Sequence, residues 1–195
     1  MRASGCIGVL IGFESVEPES LEQMGKSVNR KARFYDRALA NLRAHGLAVY
    51  ATFMFGYDGD TEASFDRTFA FALRHRFFFM AFNHVVPFPG TPLYTRLAQT
   101  ARLRHDAWWL DPDYRFGNVA YDPKHFSAEA LTQRCYEFRQ RFYALPSVLK
   151  RGLDLRANCR TPWMATLYFA QNLGSGQDVR RRQGLPLGVN SSIEK

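Results

Sequence analysis

The 195-residue sequence predicts an α/β fold of parallel βα units, on three observations. An apolar strand pattern recurs three times in the first half of the chain, a helix pattern follows each copy, and the first strand shows no polar alternation. Strands and helices alternating at this spacing imply right-handed crossovers and a parallel sheet.

The first strand lies within Gly5-Cys6-Ile7-Gly8-Val9-Leu10-Ile11-Gly12-Phe13-Glu14-Ser15. Its unbroken Val9-Leu10-Ile11 run suits a strand buried on both faces, with a neighbour on each side. The later units supply one neighbour, so one edge is expected to lie open. Ser15 to Ser20, with an early proline and Glu17 and Glu19, reads as a helix start. Tyr35, Ala38, Leu39 and Leu42 then form an apolar helical stripe that His45-Gly46 ends. The second strand is Ala48 to Phe55; the loop Gly56-Tyr57-Asp58-Gly59-Asp60-Thr61 leads to a helix with Phe65, Thr68, Phe69, Ala72 and Leu73 on one side. A third strand, Phe77 to Val86, breaks at Pro87-Phe88-Pro89-Gly90-Thr91-Pro92, and a helix runs from about Leu93 to Arg102. Three units complete neither a closed barrel nor a doubly wound sheet. Beyond an aromatic stretch from Trp108 to about Phe126, Leu131, Cys135, Phe138 and Phe142 share one helical face, and another helix covers Pro162 to Leu173. The residues from Gly174 read as a short basic helix and a loose tail.

An apolar content of 46% allows a substantial core. Three widely spaced cysteines, Cys6, Cys135 and Cys159, with no CxxC spacing, argue against a disulfide framework or zinc site and fit a reducing compartment. No apolar run has transmembrane length and no signal-peptide pattern begins at Met1, so a soluble, cytoplasmic protein is expected. The net charge of +8 is concentrated between Arg134 and Lys195, where eleven Lys or Arg face four Asp or Glu. Such a segment suits nucleic acid or an anionic surface. With one tight cluster, Arg180-Arg181-Arg182, and few interleaved aromatics, a solvated helical face is the simpler expectation and nucleic acid is not the expected partner.

Chemistry in parallel α/β folds collects at the carboxyl ends of the strands. Glu14-Ser15, Gly56-Tyr57-Asp58 and Asn83-His84-Val85-Val86-Pro87 occupy those places. Glu14 is suited equally to hydrogen bonds from a ribose diol or ammonium group and to a solvated loop position. Gly56 either admits a flat ring close to the backbone or merely turns the chain. Asp60 or Thr61 is a helix cap. His84 is a general base or a hydrogen-bonded packing residue, with packing the simpler reading. Cys6 reads as a small buried hydrophobe.

Taken together, Gly5-Cys6 to Glu14-Ser15, Leu21 with Met24-Gly25-Lys26, Phe53 to Thr61, and Val86-Pro87-Phe88-Pro89-Gly90-Thr91-Pro92-Leu93-Tyr94 resemble the radical S-adenosylmethionine superfamily. More narrowly, they resemble its cobalamin-binding-domain-containing branch, as do Trp108-Trp109 and Arg181-Arg182-Gln183-Gly184-Leu185-Pro186-Leu187-Gly188. The resemblance implies half of a partial (βα)6 TIM-type barrel, its strands fourth to sixth, across residues 1–105, with a helical carboxyl-terminal extension at 106–195. It implies S-adenosylmethionine as cofactor, with Glu14 and Ser15 on the adenosyl or methionine part, Phe55, Gly56 and Tyr57 packing on adenine, and the Val86-Pro87 backbone bonding the adenine edge.

The family's CxxxCxxC motif, which carries its four-iron, four-sulfur cluster, is missing here, and so is the cobalamin domain. The three cysteines lie 129 and 24 residues apart, so neither cluster nor cobalamin is expected on this chain. The expectation is therefore an inactive carboxyl-terminal portion of an enzyme whose intact form does radical chemistry, such as methylation or rearrangement, on a small or lipid-like metabolite. A gene-model fragment or truncated remnant is favoured over half of a split enzyme whose partner is the missing amino-terminal half. The rival readings are a non-catalytic basic helical module at Arg134 to Arg182 and a nucleotide-binding half-barrel without redox chemistry.

Overall fold

The computed structural model describes residues 1–25 and 32–186. Lys26 and Leu187-Gly188, parts of the segments that carry the resemblance, lie outside the described residues. Strand β1 (Gly8–Glu14) is followed by helices α1 (Pro18–Gln23) and α2 (Ala32–Ala44), β2 (Ala48–Phe55) by α3 (Glu62–Arg74), and β3 (Phe79–His84) by α4 (Pro92–Gln99). Helices α5 (Ala128–Tyr143), α6 (Leu145–Gly152) and α7 (Pro162–Arg182) complete an α/β fold. The three strands form one parallel sheet in the order β1-β2-β3.

Register divides the sheet into two unlike faces. Phe13, Val49, Ala51, Phe53, Phe55, Met80 and Phe82 belong to the core, together with Leu39 of α2 and Phe65 and Ala72 of α3. Phe138 and Phe142 of α5 meet Phe82 at ring distances of 6.0 and 6.2 Å, so the carboxyl-terminal helices share this core rather than form another. The opposite face carries, in register, Leu10, Tyr50 and Phe79, then Gly12, Thr52 and Ala81, with Met54 beside Asn83 at the carboxyl end.

Leu10 is 64% exposed on that second face, so β1 is not buried on both sides as its apolar run suggests. On this face Tyr143 of α5 meets Phe79 at a ring distance of 5.3 Å, at the other end of the row from Leu10. Among the described residues β1 pairs with β2 alone, leaving its outer edge unpaired. Helix α7 also differs from expectation, running through Gly174 and Gly176 to Arg182 instead of stopping. At Gly176 the helix passes the α5 terminus, where an added Cβ would meet the Tyr143 carbonyl oxygen at 3.4 Å, an ordinary contact. Among the described residues no helix is long and apolar enough to cross a membrane.

Candidate functional site

Strand β1 ends irregularly. Its pairing with β2 slips between Gly12 and Glu14, and Glu14 has φ +66°, an unusual conformation for a residue with a side chain. The Glu14 carboxylate folds back over Gly12, where an added Cβ would lie 2.5 Å from Oε1. Its charge reaches two tyrosines: burial first, then Glu14, raises the pKa of Tyr57 and pushes that of Tyr35 up to about 12. Ser15 has a local task, since its buried hydroxyl accepts from the Glu17 N–H (3.0 Å) and turns the chain into α1.

At the end of β2, Phe55 is buried and stacks on Phe65, with ring centroids 4.0 Å apart and planes 10° from parallel. Gly56 follows with φ +105°, and the space of its missing side chain is already filled. A Cβ there would overlap Tyr121 Oη and stand 2.7 Å from Leu131 Cδ2, and the Tyr121 hydroxyl donates to the Gly56 carbonyl (2.9 Å). Thr61 is the residue at the α3 N-cap. Asp60, fully buried, instead ties the loop together: Oδ2 accepts from the Gly56 and Tyr57 N–H groups (2.8 and 3.0 Å), and Oδ1 from the Ser20 hydroxyl (2.7 Å). Burial raises its pKa to about 6, against those hydrogen bonds, which favour the carboxylate.

At the end of β3, Val85 donates to the Phe55 carbonyl (2.9 Å) and extends the ladder past His84. The Pro87 carbonyl accepts from Trp108 Nε1 (3.0 Å), an indole contributed from beyond the three βα units. His84 is half-buried; burial and then the positive charge of Arg139 lower its pKa to about 4, while a hydrogen bond to the Asn118 backbone opposes them. It therefore stays neutral near pH 7. Cys6 is half-buried rather than buried, its thiol donating to the Gly8 carbonyl (3.2 Å).

A cavity of about 470 Å³ opens at these strand ends. Of the residues singled out from sequence, Tyr57 and Val86 line it, with His84 beside them. Glu14, Ser15, Phe55, Gly56 and Pro87 are not part of its wall. Asn83, also named at the end of the third strand, lines it too, and Met54, Phe116 and Arg139 join the lining without having been named as site residues. Strand alternation could have placed Met54 and Asn83 together. Nothing local marks Phe116 or Arg139, which arrive from the loop before α5 and from α5 itself.

The cysteines do not suit an iron–sulfur cluster. Cys6 precedes β1, Cys159 lies between α6 and α7, and Cys135 is fully buried in α5, where burial pushes its thiol up to about 12. Among the described residues no group of three His, Cys, Asp or Glu side chains is placed to hold a metal ion.

The architecture is that of the α/β class, with a mostly apolar cavity where ligands of parallel sheets gather. Within that class the relatives are methyltransferases. The chain is 34% identical over 148 residues to bacteriochlorophyllide d C-12(1)-methyltransferase of Chlorobaculum tepidum, covering 76% of this chain and 31% of that protein. It is 28% identical over 105 residues to bacteriochlorophyllide d C-8(2)-methyltransferase of the same organism, covering 54% of this chain and 23% of the relative. Hopanoid C-2 methylase of Rhodopseudomonas palustris is 26% identical over 151 residues, 77% of this chain and 27% of its own length. The chain thus spans about a third or less of the curated relatives it matches. No protein-family model matches it.

Proposed function

We propose that this chain contributes strands four to six and the carboxyl-terminal extension of a radical S-adenosylmethionine methyltransferase acting on an apolar metabolite. In this reading residues 1–105 belong to the half-barrel and 106–195 to the extension, which supplies Phe116, Gly117 and Arg139 to the cavity wall. The observation that carries the reading is the 34% identity over 148 residues, 76% of this chain, to a protein named as a methyltransferase. The open sheet face supports it, being smallest at Gly12, Thr52 and Ala81, where a ligand would lie against the strands.

In this reading Glu14 accepts hydrogen bonds from the adenosyl or methionine part of S-adenosylmethionine, Tyr57 offers a ring to the adenine, and the Val86 backbone meets its edge. Ser15, Phe55, Gly56 and Pro87 act indirectly by holding the three strand ends. The residues present do not fit the cluster or cobalamin, so both would be held outside this chain, which is inactive alone. Calorimetric titration of the chain with S-adenosylmethionine tests the assignment. Measurable binding, weakened about ten-fold or more by Glu14→Gln, is expected; equal affinity in the variant would remove Glu14 from the site, and no binding would remove the site.

The basic-module reading fares less well because many of its cations are engaged internally. Arg134 pairs with Glu62 (2.6 Å), Arg141 with Asp66 (3.5 Å) and Arg182 with Asp178 (3.9 Å), and Arg151 is buried. Phosphate-driven binding would show a steep loss of affinity with salt, which this chain should lack.

A further inference from the structure

Helix α5 brings a cation to the wall of a mostly apolar cavity whose other polar side chains, Tyr57, Asn83, His84 and Thr91, are uncharged near pH 7. Arg139 lines the space at the strand ends together with Met54, Phe88, Leu93 and Phe116. Among the described residues no acidic side chain shares that wall. The guanidinium donates from Nε to the Cys135 carbonyl (3.1 Å) and from Nη2 to Gln183 Oε1 (3.0 Å), both uncharged acceptors. Among the described residues Arg139 forms no ion pair, unlike its neighbours Arg134 and Arg141. Asp178, on the adjoining wall, pairs with Arg182 instead.

The guanidinium is also held in place. Gln183 rests on Gly117, where an added Cβ would stand 2.7 Å from its amide atoms, and Gly117 has φ +92°. The segments carrying these two residues are clipped together: Phe116 donates to the Leu185 carbonyl (2.8 Å) and Gly184 to the Phe116 carbonyl (3.0 Å). Burial lowers the Arg139 pKa from its ordinary value, but the group remains a cation near pH 7. A positioned, partly desolvated cation without a counterion favours an anion at its free face.

We infer that the cavity at the carboxyl ends of β2 and β3 binds a predominantly apolar ligand bearing one carboxylate, which Arg139 receives. The apolar wall accepts the body of the ligand, and the single cation limits it to one charged group. That this ligand is the methyl acceptor rests on the methyltransferase reading; its binding does not.

Calorimetric titration of the full chain with 2-naphthoate and with uncharged 2-naphthylmethanol tests the site. Naphthoate is expected to bind about ten-fold tighter, from a charge-assisted hydrogen bond of the usual strength. Arg139→Met should abolish the preference while retaining naphthylmethanol binding, which reports an intact cavity, and Arg139→Lys should restore most of it. Equal affinity of the wild type for both probes would overturn the inference, as would a preference surviving in Arg139→Met, or loss of both probes by that variant. S-adenosylmethionine is titrated in parallel: its failure to bind while naphthoate is preferred would sink the cofactor assignment and leave the carboxylate site standing.

Discussion

Substituting Gly56 by alanine brings together the two demands made on the end of β2. Alanine at φ +105° is strained by roughly 1–3 kcal/mol. Its Cβ would also overlap Tyr121 Oη and press Leu131 at 2.7 Å, overpacking that adds about 1–3 kcal/mol. Gly56→Ala should therefore destabilise the chain by about 3 kcal/mol or more. Tyr121→Phe removes the clashing oxygen and its bond to the Gly56 carbonyl, at about 1–2 kcal/mol. Because the remaining ring atom would lie 3.4 Å away, ordinary contact, Gly56→Ala should cost about 1–2 kcal/mol less in the Tyr121→Phe background. Urea unfolding followed by circular dichroism for the four members of the cycle supplies the values. Additive costs, within about 0.5 kcal/mol, would show that Tyr121 does not dictate glycine at 56.

Other residues give further tests. Arg151, fully buried, donates to the Phe77, Phe78 and Phe142 carbonyls (2.9, 3.3 and 2.8 Å) and to Asn172, so Arg151→Met should cost at least about 3 kcal/mol in urea unfolding by orphaning those acceptors. Asp60 and His84 should act in opposite directions between pH 4 and 6.5. Asp60, raised to about 6 when folded, binds its proton preferentially in the folded state, so its contribution grows as pH falls; His84, lowered to about 4, binds its proton preferentially when unfolded, so its contribution is lost as pH falls. Each effect is on the order of 3 kcal/mol, so the two contributions largely offset one another in urea titrations across that window. Asp60→Asn should lose stability on acidification, and His84→Gln should gain it. Gly12→Ala should weaken S-adenosylmethionine binding several-fold, because its Cβ would stand 2.5 Å from Glu14 Oε1 and displace that carboxylate, as parallel titrations of variant and wild type would show.

The βα rhythm was legible because the apolar stripe through Leu39 and the run from Ala48 to Phe55 each have a single period that matches their final element. Burial was less legible. Leu10 and Ile11 are equally apolar neighbours, yet Ile11 packs against the core while Leu10 points from the opposite face and is exposed. The ends of β1 and β2 were placed correctly and β3 stops at His84, two residues before the expected Val86, but the tasks of several residues depend on distant partners. Gly56 is occupied by Tyr121, and the Pro87 carbonyl by Trp108. Arg139 was invisible as a site residue for the same reason. Its cavity position is set by sheet, helix and the segment around Gln183 meeting across more than a hundred residues.

The most direct test of the central claim is anaerobic reconstitution with iron and sulfide, followed by an iron count and an assay for 5′-deoxyadenosine. The full chain is measured alone and joined to a CxxxCxxC-bearing amino-terminal half. The expected result is no four-iron cluster and no cleavage product from the chain alone, with S-adenosylmethionine cleavage in the joined protein that falls with Glu14→Gln. A stable four-iron cluster or 5′-deoxyadenosine from the chain alone would contradict it.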